Sequence, residues 1–213
     1  MRLVVITPVG PGHQEYVKEC AASVRREIER CKTFSASHLI IDDTEGKLGR
    51  SKARNIGLET PADWYFLIDA DDTMEPGALD LCDFESPATF GAINLKGQMK
   101  AGYLNIYPCG WREIRRFGAV GTLSMGFFLR GDIGLKFNEG LDAGEDFEFY
   151  LRLPHFTKVE SPLVEIGYDR PSATGPRGYE RIDWVSVCRK HVDRAVRENP
   201  DKYDLYGDAL LEA

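Results

Sequence analysis

The sequence predicts an α/β protein built on a mostly parallel sheet, and three observations carry that expectation. Strand-like and helix-like stretches alternate from residue 2 to residue 69. One of them, Trp64-Tyr65-Phe66-Leu67-Ile68, is an unbroken apolar and aromatic run, too short for a helix and patterned like a strand buried on both faces. Three strands also end in polar or acidic groups: Thr7, then Asp42 with Asp43, then Asp69 with Asp71. In open parallel sheets ligands bind beyond the carboxyl ends of the strands, so these groups converge on one candidate site.

Each element follows from its own pattern. Residues 2–7 are rich in β-branched side chains and form the first strand, which breaks at Pro8-Val9-Gly10-Pro11-Gly12. A helix is expected over 13–31, with Val17, Ala21, Val24 and Ile28 on one face. Residues 38–41 read as the second strand, 50–58 as a short helix and 64–69 as the third strand. A β-α-β-α-β order of this kind gives parallel strands with helices packed on the sheet. Beyond Asp72 a helix is expected over 75–82, capped by Asp72 or Thr73, with Pro76 in its first turn. Short strands are expected over 90–95, 103–107 and 123–129, a helix over 147–153 and a strand over 163–168. A Gly-, Pro-, Ser- and Arg-containing loop over 169–179 leads to a last helix over 182–197, on whose apolar face His191 reads as a packed histidine. Arg170 or Arg177 of that loop can reach a phosphate, or the loop is a plain connector.

Composition bounds the class. With 213 residues, 43% hydrophobic and 29% charged, the chain suits one sizeable ordered domain. No apolar run approaches a membrane span and no signal-peptide pattern opens the chain, so a cytoplasmic protein without an integral membrane segment is expected. Five scattered cysteines without a C-x-x-C pair read as reduced thiols. A net charge of −7 argues against broad nucleic-acid binding.

The motifs then narrow the chemistry. Acids at the end of a buried strand repel one another and resist burial, unless a cation sits among them. Asp69 and Asp71, two apart, share a side if the chain there is extended. A metal site and an acidic turn are the competing readings. Gly10-Pro11-Gly12 is not a dinucleotide fingerprint, because Glu15 stands where the third glycine belongs, and no P-loop motif exists. If a nucleotide binds, a metal held by the acidic cluster is the obvious substitute for holding its phosphates. In Gly140-Leu141-Asp142-Ala143-Gly144-Glu145-Asp146, Asp142 and Glu145 have capping-box spacing, while an acid there is also placed to act as a general base. Trp111-Arg112-Glu113-Ile114-Arg115-Arg116 is a basic run that either meets an acidic acceptor or is simply solvated. His13, His38 and His155 have no spacing that suggests a metal triad.

Taken in order, these motifs resemble the family 2 glycosyltransferases of the GT-A fold. The resemblance runs from about residue 3 to 170. It rests on Ile6-Thr7-Pro8-Val9, Ile40-Ile41-Asp42-Asp43, Ala53-Arg54-Asn55-Ile56-Gly57, the D-x-D stretch Asp69-Ala70-Asp71 followed by Asp72 and Pro76, and Gly144-Glu145-Asp146 with Arg152 beyond it. Gly10-Pro11 and Thr44-Glu45-Gly46 depart from the family pattern.

The resemblance implies a Rossmann-like sheet with helices on both faces. It implies a GT-A domain over 1–175, with a nucleotide-sugar half over 1–85 and an acceptor half over 86–175, followed by a C-terminal helical extension over 176–213. It also implies metal-dependent, inverting transfer of a sugar from a nucleotide-sugar, most often a UDP-sugar, to an acceptor hydroxyl. Asp71 would be the principal ligand of Mn²⁺ or Mg²⁺, with Asp69 beside it. Thr7, Pro8, Val9, Asp42, Arg54, Asp69 and Ala70 would line the donor pocket. Asp146 would be the base, with Glu145 next to it. The acceptor is open: a glycan, a small molecule, or a modified nucleobase in DNA as some phage-encoded glycosyltransferases use. A nucleotidylyltransferase on a related fold is the competing class, although Pro8–Gly12 lacks the basic residues such an enzyme needs after its first strand.

Overall fold

A computed structural model describes residues 1–95, 123–141 and 144–167, together with 190–191, 193–194 and 197–198. The elements in chain order are β1 (Arg2–Val9), α1 (Val17–Arg30), β2 (Ser35–Asp42), α2 (Arg50–Leu58), β3 (Trp64–Leu67), β4 (Thr73–Met74), β5 (Ala88–Phe90), β6 (Asn94–Leu95), β7 (Phe127–Arg130), α3 (Glu145–Arg152), β8 (Thr157–Lys158) and β9 (Val164–Ile166). Among the described residues, six strands form the central sheet in the order β2-β1-β3-β7-β5-β8, and β4, β9 and β6 form a small second sheet. In the central sheet β1 is parallel to β2 and β3, and β5 is parallel to β8. Only β7 runs the other way, antiparallel to both β3 and β5.

Alternation along the strands builds two cores, one on each face. Val4 and Ile6 of β1, Tyr65 and Leu67 of β3 and Phe127 and Leu129 of β7 pack with Phe147, Phe149, Tyr150 and Leu151 of α3. Leu3 and Val5, Trp64 and Phe66, and Phe128 face the opposite way, against Cys20 and Val24 of α1. The residues sort by parity, as a pleated strand requires. Phe66, Phe127 and Phe128 are fully buried. Each such side chain stabilises the fold by about 1.5–3 kcal/mol relative to exposure.

Several elements differ from the sequence expectation, for local reasons. β1 extends through Pro8 to Val9. Ile6 O accepts from Ile68 N, so alternation turns Pro8 toward the same side, beyond β3's last paired residue. Its missing N–H therefore breaks no ladder bond. The helix expected over 75–82 is a single 3₁₀ turn, Ala78–Asp80, preceded by β4. That region is instead tied to α1 through the buried Glu27, which accepts from Gly77 N at 2.9 Å and from Arg30. β3 ends at Leu67, not at residue 69. The strand expected over 90–95 is two short strands in different sheets, and β8 had no strand signal. The expected elements over 103–107, 169–179 and 176–213, and the Trp111–Arg116 run, lie outside the described residues or almost entirely so. Among the described residues no helix is long and apolar enough to cross a membrane.

α2 packs on β1 through Gly57. A Cβ added there would lie 2.5 Å from Ile6 Cγ2, an atom of a stiff, fully buried side chain. Helix propensity alone would favour alanine by about 1 kcal/mol. The clash should outweigh it, because overpacking a core costs about 1–3 kcal/mol. Gly57→Ala is therefore expected to lower the denaturation midpoint. A raised midpoint in a urea titration would show that Ile6 can move aside.

Candidate active site

The carboxyl edge of β1, β2 and β3 is closed over by the starts of α2 and α3, and one arginine joins the parts. Arg54 lies on the inward face of α2 and is 4% exposed. Its Nη2 donates to Asp69 Oδ1 at 2.7 Å and its Nη1 to Glu145 Oε1 at 2.9 Å. Its guanidinium lies 5.3 Å from the centroid of the Phe137 ring. Burial disfavours the charge, but the Asp69 and Glu145 carboxylates outweigh it and hold the guanidinium protonated. Arg50 Nη1 stands 3.5 Å from the same Glu145 oxygen. The rest of the Ala53-Arg54-Asn55-Ile56-Gly57 motif has a structural task. Asn55 Nδ2 donates to Phe137 O and to Glu139 Oε1, and its Oδ1 accepts from Phe137 N, which pins the segment running toward α3.

The acidic stretch is a turn. Asp72 N donates to Asp69 O at 3.1 Å, so the extended geometry that would place Asp69 and Asp71 on one side does not hold. Asp69 turns to Arg54. Ala70 is buried. Asp72 is also buried and accepts from Gly167 N at 3.0 Å, which is why it caps no helix. Asp71 keeps its side chain 15% exposed, with Oδ2 at 3.9 Å from His13 Nε2. That imidazole nitrogen is buried and has no hydrogen-bond partner.

α3 begins at Glu145 after Gly144, whose φ of 71° is the left-handed conformation that suits glycine. Glu145 is 2% exposed and taken up by the two arginines. Asp146 Oδ1 accepts from Phe147 N at 2.7 Å. Burial, then the neighbouring Glu145 charge, pushes the Asp146 carboxyl up to about 6. The Phe147 N–H and Arg54 counteract that rise, and Asp69 adds to it. The capping reading of this stretch is met only in part: Gly144 is the N-cap, no side chain caps it, and Asp142 lies outside the described residues. Arg152 sits at the far end of α3, paired with Glu148.

The other candidates fall in two places. Thr7 is fully buried, its Oγ1 2.9 Å from His38 Nε2 and 3.9 Å from Cys20 Sγ, so its side chain lies on the α1 face of the sheet. Burial lowers His38 to about 4. Val9 is buried and Pro8 half-buried at the end of β1. Asp42 is exposed at the rim; Thr44 N donates to its Oδ1 and holds its carboxyl below the usual range. Its neighbour Asp43 is buried and accepts from Leu48 N and Gly49 N, shaping the loop into α2. Thus Arg54, Asp69, Glu145 and Asp146 come together, His13 and Asp71 form a second pair, and Asp42 stands apart. Asn55 and His13 were not among the sequence candidates. Asn55 carried a signal, as the third residue of Ala53-Arg54-Asn55. His13 carried only its position just past β1.

Among the described residues no three His, Cys, Asp or Glu side chains are arranged to hold a metal ion. The donor set still fits Mg²⁺ or Mn²⁺, which take one or two protein carboxylates and complete their shell with phosphate oxygens and water. Asp71 offers a carboxylate whose side chain is 15% exposed, and His13 Nε2, which makes no hydrogen bond, stands 3.9 Å from its Oδ2.

The Asp146 carboxyl binds its proton more tightly folded than unfolded. The stability this contributes is complete below about pH 3.8 and is lost as the pH rises through about 6. Asparagine suffers no such loss. Asp146→Asn is expected to melt higher than the parent at neutral pH, with the difference shrinking toward pH 4. Thermal melts at the two pH values check this; an equal difference at both would show that the folded protein does not hold the proton.

No family profile and no curated protein sequence matches the chain. Solved structures do. TarS residues 1–349 from S. aureus in complex with UDP-GlcNAc aligns at 15% identity over 97% of this chain and 73% of that one, with a TM-score of 0.59. The mannosyltransferase PcManGT from Pyrobaculum calidifontis, in complex with GDP-Man and Mn²⁺, aligns at 15% identity over 98% of this chain and 68% of that one, with a TM-score of 0.58. Glucosyl-3-phosphoglycerate synthase from Mycobacterium tuberculosis, in complex with phosphoglyceric acid, aligns at 13% identity over 91% and 80%, with a TM-score of 0.56. These are GT-A-type glycosyltransferases, and the fold of this chain is the GT-A fold.

Proposed function

We propose that this chain is a metal-dependent glycosyltransferase that moves a sugar from a nucleotide-sugar, with UDP-sugars the first donors to try, to an acceptor hydroxyl with inversion. The observation that carries the reading is the Arg54 bridge, which holds the acidic turn after β3 and the base-bearing start of α3 in one site. The structural neighbours that hold UDP-GlcNAc, or GDP-Man with Mn²⁺, support it.

The roles follow from placement. Asp42, exposed at the end of β2, takes the edge of the nucleoside. The ends of β1 at Pro8 and Val9 and the main chain at Ala70 form the floor beneath the donor. Thr7 supports that floor from below. Asp71 holds the cation, with Asp69 behind it on Arg54. Mn²⁺ or Mg²⁺, if held there, would supply Lewis-acid stabilisation of the charge that develops on the departing diphosphate. Asp146 is the base. Its Oδ1 is occupied by Phe147 N, which leaves Oδ2 to take the acceptor's proton. A carboxyl raised to about 6 suits that task, because a base works best when its pKa lies near the working pH. Glu145 does not touch substrate; buried against Arg54 and Arg50, it keeps Asp146 and Arg54 in place.

A thermal-shift panel of nucleotide-sugars with and without Mn²⁺ tests donor and metal together, since a ligand that binds only the folded state raises its melting temperature. A shift is expected that requires both nucleotide and Mn²⁺ and disappears in Asp71→Ala. An unchanged shift in that variant would remove Asp71 from the metal site. Once a turnover assay exists, Asp146→Asn should lose roughly 10²- to 10⁴-fold in rate at unchanged donor affinity, the usual contribution of a general base. Turnover within a few-fold of the parent would mean Asp146 serves only the start of α3.

A further inference from the structure

We propose that His13 is a ligand of the divalent cation and biases the site toward Mn²⁺ over Mg²⁺. The inference rests on the reading of Asp71 as a cation ligand. It starts from a polar atom that the fold leaves unused. His13 Nε2 is buried and makes no hydrogen bond. A buried polar atom without a partner is costly to the fold. Such a cost persists where a ligand supplies the missing partner. Asp71 Oδ2 stands 3.9 Å from it, too far for a hydrogen bond. Cation bonds of about 2.0–2.1 Å to each atom can span that gap with a wide angle between them.

Both atoms sit on backbone that is already fixed. His13 N donates to Gly10 O at 3.2 Å, and His13 O accepts from Tyr16 N and Val17 N, so the imidazole is carried on the turn that starts α1. Asp71 sits in a turn whose neighbours are anchored by Arg54 and by Gly167 N. The two turns come from the ends of adjacent parallel strands, β1 and β3. A cation held between them would have one imidazole and one carboxylate from the protein, with the diphosphate and water filling the remaining positions. Mn²⁺ also suits oxygen ligands, but as a first-row transition ion it accepts an imidazole more readily than Mg²⁺, which keeps a strict all-oxygen shell. Metal choice therefore follows from this one side chain.

The test uses the full chain with Mn²⁺ and UDP. Pulsed electron paramagnetic resonance of bound Mn²⁺ should show coupling to an imidazole nitrogen, and His13→Gln should abolish it. The substitution touches none of the backbone bonds that hold the turn, so the variant should fold. Calorimetry should show Mn²⁺ affinity in the presence of UDP falling about tenfold or more in His13→Gln, since even outer-shell partners of a metal are worth 10- to 100-fold, with Mg²⁺ affinity falling less. Mn²⁺ that binds and requires Asp71 but shows no nitrogen coupling overturns the inference and leaves the role of Asp71 standing. Equal loss of UDP affinity in His13→Gln with and without metal also overturns it, and makes His13 a phosphate contact. No Mn²⁺ binding at all overturns this inference together with the metal-dependent reading beneath it.

Discussion

One buried guanidinium holds the site together. Arg54 is out of water, and a charge in that position needs partners with good geometry. It has them from two directions: Asp69 in the turn after β3, and Glu145 at the start of α3, 91 positions from Arg54 in sequence. Removing either member of the buried Arg54–Glu145 pair would cost about 3–5 kcal/mol, and the half-exposed Asp69 adds a weaker tie, so the acidic turn, α2 and the start of α3 are coupled. Asn55 extends the constraint to Phe137, whose ring the guanidinium faces and which stacks on Phe149 at 4.2 Å. The position of the candidate base is thus set by an ion bridge on one side and an aromatic stack on the other.

The charged groups of the site rest on a layer of neutral polar groups. On the cleft side stand Asp69, Asp71, Glu145 and Asp146 with Arg54 and Arg50 among them. On the α1 side, Thr7, His38 and Cys20 are linked in the interior. There burial keeps the imidazole neutral by lowering it to about 4, and burial together with the nearby aspartates keeps the thiol neutral by raising it to about 12. The Cys20 thiol also donates to Asp69 O at 3.5 Å, so the neutral layer supports the acidic turn from beneath. Neutral polar groups can be buried at modest cost when hydrogen-bonded, whereas ions also need an opposite charge beside them. This division lets a carboxylate-rich turn sit on a folded core.

Much of the fold was legible because it follows from local pattern. The run 64–67 reads as a buried strand, and α2 spans the expected 50–58. What was not legible depends on distant partners. Nothing near Phe127 says that β7 inserts antiparallel between β3 and β5. Nothing near Asp72 says that Gly167 N will take its carboxylate, so a capping role was the natural local reading. Alternation implied that Asp69 and Asp71 share a side, but the strand stops two residues early and the turn cancels the inference. In the candidate site, Arg54, Asp69, Glu145 and Asp146 were found by motif, while the bridge that joins them and the partnerless His13 nitrogen exist only in three dimensions.

The antiparallel placement of β7 bears on how the chain is made. β1, β2 and β3 can pair as soon as residue 67 has been synthesised, but the free edge of β3 is covered only by Phe127–Arg130. That edge belongs to Trp64-Tyr65-Phe66-Leu67, an aromatic segment of the kind that templates pairing with other chains. Sixty residues separate Leu67 from its partner Phe127, which at about 5–20 residues per second leaves the edge open for roughly 3 to 12 seconds. During that interval the nascent chain carries an unpaired apolar strand beside a half-built sheet, and its yield depends on what shields Trp64-Tyr65-Phe66-Leu67 as well as on the final stability of the fold.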